Sequence, residues 1–227
     1  MCQHNDAYAE NIKQLIKFVR EQNFPASSSV LDVGAGTGNF VCELAQEFPK
    51  LQITHLDSNR EMNEIALSKY ETLNLQNVRV IEEPVQRAEF AAGSFDLVIC
   101  VNALYAMNPQ ELILAKLRGW IDPSGFLYVI DLGRRMDSWD WGRHFFKEAY
   151  KQKRLLSYLT DAVSRGREVL RQNNMTRIAQ ETGQYWIHET DEFREALISA
   201  GFKIQEIEPC YRGYADRAVC KPAGSNL

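Results

Sequence analysis

Apolar positions in the first 132 residues alternate between short continuous runs and stretches with helical spacing. Ile12, Leu15 and Val19 recur at intervals of three and four residues, which predicts a helix near residues 8–23. Short apolar runs predict five strands, at 30–33, 51–57, 78–81, 95–101 and 125–132. Helical patterns separate several of these runs, and Ser58 is a candidate cap for the helix that starts at Arg60. Alternating strands and helices are typical of a doubly wound α/β fold with a mostly parallel sheet.

The region after the fifth predicted strand has a different pattern. In residues 134–183 the apolar positions are mostly spaced as in helices, and aromatic residues are frequent. The region is also basic, with eleven Lys and Arg against five acidic residues between Arg134 and Arg177. Thr190 is the predicted cap of a helix that Gly201 ends. Two final strands are predicted at 203–208 and 214–220. The chain therefore combines an α/β framework with a helical insertion.

Composition narrows the class of protein. The 227 residues are 45% hydrophobic, and no apolar run approaches the roughly 20 residues of a membrane span. The N-terminus lacks the pattern of a signal peptide, so we expect a cytoplasmic protein that does not bind a membrane. The five cysteines form no CxxC pair, and no metal site is expected. A net charge of −4 argues against nucleic acid as a partner.

A glycine-rich stretch is the main candidate for chemistry. Gly34, Gly36 and Gly38 follow the first predicted strand and precede a helical pattern. A GxGxG sequence fits a dinucleotide site, an S-adenosylmethionine site or a tight turn. Asp57 ends the second strand, where a carboxylate can accept hydrogen bonds from a ribose diol. Asp32 lies inside the first strand, and an acid there disfavours a diphosphate and suits a cationic ligand.

The chain resembles the class I S-adenosylmethionine-dependent methyltransferases of the small-molecule type. The matching segments are Val30–Gly38, Leu56–Ser58, Gly93–Val98, Asp122–Leu127 and Ala200–Phe202. The resemblance implies a Rossmann-like, mostly parallel seven-stranded sheet with an antiparallel last strand. It also implies a single methyltransferase domain over 1–227, with an N-terminal helix at 1–25 and a helical cap insertion at 134–183.

The resemblance further implies residues that bind S-adenosylmethionine, with S-adenosylhomocysteine as product. Gly34, Gly36 and Gly38 would lie against the methionine moiety, Asp32 would help to hold its ammonium group, and Asp57 would bind the ribose. The other implied contacts come from Tyr8, Ser58, Met62 and Asn102, and from Glu83 and Val85 near the adenine. The family usually has an acid followed by a small residue at this last point, whereas this chain has Glu83-Pro84-Val85. For Tyr8 and Met62 ordinary packing is the alternative, and for Asn102 a strand cap.

Candidates for the acceptor side follow the fourth and fifth strands. Tyr105 could orient a nucleophile or simply pack, and His144 is the candidate general base. In the insertion, Arg134, Arg135 and Arg143 could bind an anionic group of the acceptor, or form a solvated helix face. Trp139 and Trp186 could line an acceptor pocket or belong to the core of the insertion.

The favoured interpretation is methyl transfer to O or N of a small molecule, by a monomer or homodimer. Methylation of a macromolecule, such as tRNA or a protein side chain, is one alternative. A catalytically silent S-adenosylmethionine-binding module is another, and an NAD-dependent dehydrogenase is a third.

Overall fold

A computed structural model describes residues 6–135, 137–151 and 175–224, which contain a seven-stranded sheet with helices packed against it. The strands are β1 Ser29–Val33, β2 Gln52–Asp57, β3 Val78–Glu82, β4 Phe95–Val101, β5 Ile121–Asp131, β6 Phe202–Cys210 and β7 Ala215–Pro222. The helices are α1 Asp6–Gln22, α2 Asn39–Glu47, α3 Arg60–Thr72, α4 Gln110–Trp120, α5 Ser138–Lys151 and α6 Thr190–Ser199. Residues 175–181 are also helical, and short 3-10 turns occupy Leu104–Ala106 and Tyr211–Gly213.

The strand order is β3-β2-β1-β4-β5-β7-β6. Strands β1 to β5 are parallel to one another, whereas β7 is antiparallel to both β5 and β6. The predicted fold class, a mostly parallel Rossmann-like sheet with an antiparallel last strand, is confirmed. The order reverses between β1 and β4, and open α/β sheets bind ligands beyond the carboxyl ends of the strands at such a point.

The central strands form the core of the sheet. Leu31 of β1, Val98 of β4 and Leu127 of β5 are completely buried. Strands covered on both faces are almost continuously apolar, which explains why the runs in β4 and β5 lack a polar alternation. Each such side chain contributes about 1.5–3 kcal/mol through burial. The core thereby fixes the strand ends that carry the candidate site.

Several boundaries differ from the predicted ones. Asn59, not Ser58, caps α3, because its side chain accepts a hydrogen bond from the Met62 N–H. Glu189, not Thr190, caps α6, through a reciprocal capping box with Glu192. In both cases the cap lies one residue from the predicted position, since neighbouring polar residues compete for the same role.

The chain divides into two units, Met1–Gly133 with His188–Leu227, and Arg134–Ile187. The first unit contains the whole sheet. In the second, the Gln180 side chain donates to the Arg134 carbonyl at 3.3 Å, and the Tyr185 N–H donates to the Ala179 carbonyl at 2.9 Å. Among the helices that the structure describes, none has both the length and the apolar character needed to cross a membrane.

Candidate functional site

The loop between β1 and α2 contains the three glycines, all with a left-handed backbone. The φ angles of Gly34, Gly36 and Gly38 are +69°, +56° and +71°, a region that L side chains adopt only at a cost. The Gly34 N–H donates to the Leu56 carbonyl at 2.8 Å. The loop is therefore held against the end of β2, at the carboxyl edge of the sheet.

The three glycines differ in what surrounds them. A Cβ at Gly34 would lie 2.5 Å from the Ala103 Cβ, and a Cβ at Gly38 would overlap the Tyr70 hydroxyl. At Gly36 a Cβ would meet no described atom within 4 Å. Gly34 and Gly38 thus permit close packing inside the protein, whereas Gly36 leaves one side of the loop open.

Asp57 connects this loop to the start of α3. One carboxylate oxygen accepts the Gly36 N–H at 2.8 Å, and the other accepts the Asn59 N–H at 2.8 Å. Because each carboxylate oxygen has two lone pairs, both oxygens retain capacity for a further donor. Asp57 is half-buried, so this capacity is accessible at the edge of the sheet.

Asp32 is a buried acid beneath the same loop. Its side chain is 3% exposed, and it pairs in register with His55 of β2 and Ile99 of β4. Burial, with a smaller contribution from the negative charge of Asp57, raises the pKa of Asp32 to about 7. A cation next to this carboxyl group would favour its ionised form.

Asn102 follows β4 at the point where the strand order reverses. Its φ of +53° is unusual for a residue with a side chain. Its amide donates to the Tyr211 hydroxyl at 3.0 Å, while its buried Oδ1 has no hydrogen-bond partner among the described residues. Asn102 therefore does more than end the strand, since it also holds the turn between β6 and β7.

Comparisons with known proteins agree with this arrangement. The sequence model of a methyltransferase domain family matches residues 30–125. A solved S-adenosylmethionine-dependent methyltransferase from Aquifex aeolicus has the same fold, with a TM-score of 0.62 and 16% identity over 96% of this chain and 100% of that one. Residues 30–125 thus match a methyltransferase domain family, and the chain has the class I methyltransferase fold. The predicted resemblance to this family and the predicted fold are thus confirmed.

Two curated methyltransferases have detectable sequence similarity to this chain. N-methyltransferase 4 of Papaver somniferum is 29% identical over 150 residues, which are 60% of this chain and 42% of that protein. Trans-aconitate 2-methyltransferase of Deinococcus radiodurans is 32% identical over 127 residues, which are 56% of this chain and 45% of that protein. The chain thus matches less than half the length of these two relatives.

The unit that contains the sheet also has a buried acid–histidine pair that the sequence did not predict. Asp131, the last residue of β5, lies 3.2 Å from His188 Nε2, and both side chains are completely buried. The other Asp131 oxygen accepts the Tyr105 N–H at 3.0 Å. Burial raises the pKa of Asp131, and the contact with His188 opposes that rise. The pair links the end of β5 and the turn after β4 to the residues that lead into α6. Asp131 could have been noticed in the sequence as an acid at the end of a strand, but its partner His188 lies 57 positions away.

Tyr8 of α1 contacts the start of α2. The Asn39 amide donates to the Tyr8 hydroxyl at 3.2 Å, and the Tyr8 ring packs edge-on against Phe40 at 5.3 Å. Lys69 of α3 donates to the Asn39 side chain at 2.6 Å and to the Thr37 carbonyl at 2.7 Å. Tyr8 is therefore linked to the glycine loop through Asn39, and Lys69 is a loop contact that the sequence did not single out.

The remaining predicted cofactor contacts lie along the edge formed by β2 and β3. Ser58 is exposed, Met62 is 38% exposed on α3, and Val85 is buried. The Glu83 N–H donates to the Asp57 carbonyl at 3.1 Å. These residues share one edge of the sheet with Asp57, and their contacts with a cofactor stay predictions.

The predicted acceptor residues are divided between the two units. Tyr105 lies in the first unit, in the turn after β4. The others lie in the second unit, where Arg135 and Arg143 are exposed and Arg134, His144 and Trp186 are half-buried. The side chain of Trp139 and residues 152–174 lie outside the described part of the chain. Among the described residues, no three His, Cys, Asp or Glu side chains are grouped as metal ligands.

Proposed function

We propose that the chain is an S-adenosylmethionine-dependent methyltransferase that acts on O or N of a small molecule. The observation that carries the proposal is the contact of Asp57 with the Gly36 N–H, because it sets a half-buried carboxylate beside an open glycine backbone, as a ribose-binding acid requires. Of the curated relatives named above, N-methyltransferase 4 supports N as an acceptor atom, and trans-aconitate 2-methyltransferase supports a small acceptor.

The residues present fit this cofactor. Asp57 would accept hydrogen bonds from the ribose hydroxyls, and Gly36 leaves room for a ligand against the backbone. Asp32 would accept from an ammonium group, and so would Oδ1 of Asn102, which has no hydrogen-bond partner in the part of the chain that the structure describes. When bound, S-adenosylmethionine supplies a methyl group that its sulfonium activates for in-line transfer. The chain then has to orient the acceptor and exclude water.

The acceptor side is proposed on the sequence pattern. We infer that Tyr105 orients the nucleophile, and that Arg134, Arg135 and Arg143 bind an anionic group of the acceptor. His144 would remove a proton where the acceptor carries one at neutral pH. Trp139 and Trp186 would supply apolar contacts.

Calorimetric titration tests the function directly. We expect S-adenosylmethionine and S-adenosylhomocysteine to bind, and NADH not to bind. Turnover is then measured with amines, carboxylates, phenols, tRNA and a protein mixture as acceptors. Methylation of a small molecule supports the proposal, and methylation of tRNA or protein alone would contradict its acceptor class. Cofactor binding with no turnover on any acceptor would indicate a silent module.

Asp32 predicts a pH dependence of cofactor binding. Because burial raises the pKa of Asp32 to about 7, the carboxyl group becomes protonated as the pH falls below 7. A bound ammonium group favours the ionised form, so binding below pH 7 requires loss of this proton. The dissociation constant of S-adenosylhomocysteine should therefore rise about tenfold per pH unit below the pKa.

Calorimetry between pH 5.5 and 8 with Asp32→Asn as the matched variant measures this dependence. The variant removes the titrating group with little change of shape, so its affinity should vary much less with pH. An equal slope in both proteins would show that another group is responsible.

A further inference from the structure

A set of buried polar side chains lies beneath the glycine loop and is not explained by packing alone. His55 of β2, Asn63 of α3 and Tyr70 of α3 are 0%, 2% and 5% exposed. His55 Nδ1 is 2.7 Å from the Tyr70 hydroxyl, and His55 Nε2 is 2.9 Å from Asn63 Oδ1. The sequence suggests only a structural role for His55, because it lies inside a strand.

The far end of this set is Asp57. The Asn63 amide nitrogen is 3.1 Å from the Asp57 carbonyl oxygen and 3.4 Å from a Glu82 carboxylate oxygen. A carbonyl oxygen can only accept, so the Asn63 NH₂ group must be the atom that faces it. Asn63 Oδ1 then faces His55.

This orientation fixes the direction of every hydrogen bond. Since Asn63 Oδ1 can only accept, His55 Nε2 must carry a proton and donate. Burial lowers the pKa of His55, so the ring is neutral and Nδ1 is an acceptor. The Tyr70 hydroxyl therefore donates to Nδ1. The donors run in one direction, from Tyr70 through His55 and Asn63 to the Asp57 carbonyl.

At its other end, the set lies against the glycine loop. The Tyr70 hydroxyl occupies the space that a Cβ of Gly38 would need. The preceding residue, Lys69, donates to the Thr37 carbonyl at 2.7 Å. Consecutive residues of α3 thus contact consecutive residues of the loop.

We propose that Tyr70, His55 and Asn63 are positioning residues that hold Gly38 and Asp57 in the arrangement that binds S-adenosylmethionine. The cofactor in this statement rests on the proposed function. Tyr70 lies against Gly38, Asn63 donates to the Asp57 carbonyl, and His55 connects the two, so all three act through the loop and the backbone of Asp57. Their loss should weaken cofactor binding in a protein that remains folded.

A double-mutant cycle on Asn63 and Asp57 tests this role. Asn63→Ala removes the donor to the Asp57 carbonyl, and it should raise the dissociation constant of S-adenosylhomocysteine about tenfold. In an Asp57→Ala background the same change should cost less than about threefold, because the carbonyl contact remains but the side-chain carboxylate whose position it fixes is absent. Equal costs in both backgrounds would overturn the proposal. Tyr128→Phe, a buried tyrosine of β5 outside this set, is the control and should leave the affinity unchanged.

A spectroscopic measurement on the wild-type protein covers the case in which the variants do not fold. Nitrogen-15 NMR of the imidazole should find His55 with a proton on Nε2 and none on Nδ1 at neutral pH. A proton on Nδ1 alone would overturn the direction of the hydrogen bonds and with it the proposal. This measurement needs no cofactor, whereas failure of wild-type protein to bind S-adenosylhomocysteine would contradict the proposed function.

Discussion

Replacing Asp57 by alanine is expected to raise the dissociation constant of S-adenosylmethionine about 100-fold, which corresponds to about 3 kcal/mol. The carboxylate accepts the N–H groups of Gly36 and Asn59, both at 2.8 Å. The alanine variant therefore loses a proposed ribose contact and also leaves two backbone donors without this acceptor. Both effects should weaken the same site, since Gly36 lies in the loop that is proposed to face the cofactor.

The measurement is calorimetric titration at a temperature at which the variant is folded, as judged by circular dichroism. Asp57→Asn retains one acceptor oxygen and should fall between wild type and Asp57→Ala. Glu64→Ala is the control for loss of a negative charge, because Glu64 is exposed on α3 and paired with Arg60 at 3.0 Å. An affinity of Asp57→Ala within about threefold of wild type would contradict the ribose role.

The parts of the fold and site that the sequence predicted depend on short, local patterns. The loop from Gly34 to Gly38 directly follows a buried strand, and Asp57 directly ends the next one. The positions of glycines and strand-end acids are set by backbone geometry within a few residues. The parallel sheet could be predicted from the alternation of strands and helices along the chain. The two kinds of element can be told apart because buried strands and amphipathic helices have different hydrophobic periods.

The parts that the sequence did not predict depend on pairs that are far apart in the chain. Asn102 and Tyr211 are separated by 109 positions, and Asp131 and His188 by 57. Neither partner has a local pattern that identifies the other, since tertiary packing selects the pair. A buried polar side chain must find a partner, but the sequence alone does not say which.

The chain of hydrogen bonds beneath the loop is an intermediate case. His55, Asn63 and Tyr70 lie within 15 positions of one another and could have been noticed as polar residues on neighbouring elements. Their identity as one set depends on the register of β2 and on the rotation of α3. Those two quantities bring Asn63 and Tyr70, on one face of α3, to the two ring nitrogens of His55, and the hydrophobic pattern does not define them.

Alanine at Gly36 and alanine at Gly38 are expected to have different effects, although both residues have positive φ angles, of +56° and +71°. Each substitution costs about 1–2 kcal/mol for a left-handed backbone. A Cβ at Gly38 would in addition overlap the Tyr70 hydroxyl and lie 2.7 Å from its Cζ. Overpacking of this kind adds about 1–3 kcal/mol. Gly38→Ala should therefore lower the melting temperature by about 10 °C, and Gly36→Ala by about 3–5 °C.

The affinity for S-adenosylhomocysteine should show the opposite order when both variants are folded. Gly36→Ala should lose more affinity than Gly38→Ala. The Cβ of Gly36→Ala meets no described atom within 4 Å, so it projects into the open side of the loop, where the proposed cofactor lies. At a temperature where both variants are folded, Gly36→Ala should lose at least about tenfold in affinity for S-adenosylhomocysteine. Thermal denaturation and calorimetry on the same pair measure the two quantities separately. Equal losses of stability would contradict the packing of Gly38 against Tyr70, and unchanged affinity in Gly36→Ala would contradict a cofactor seated on that face of the loop.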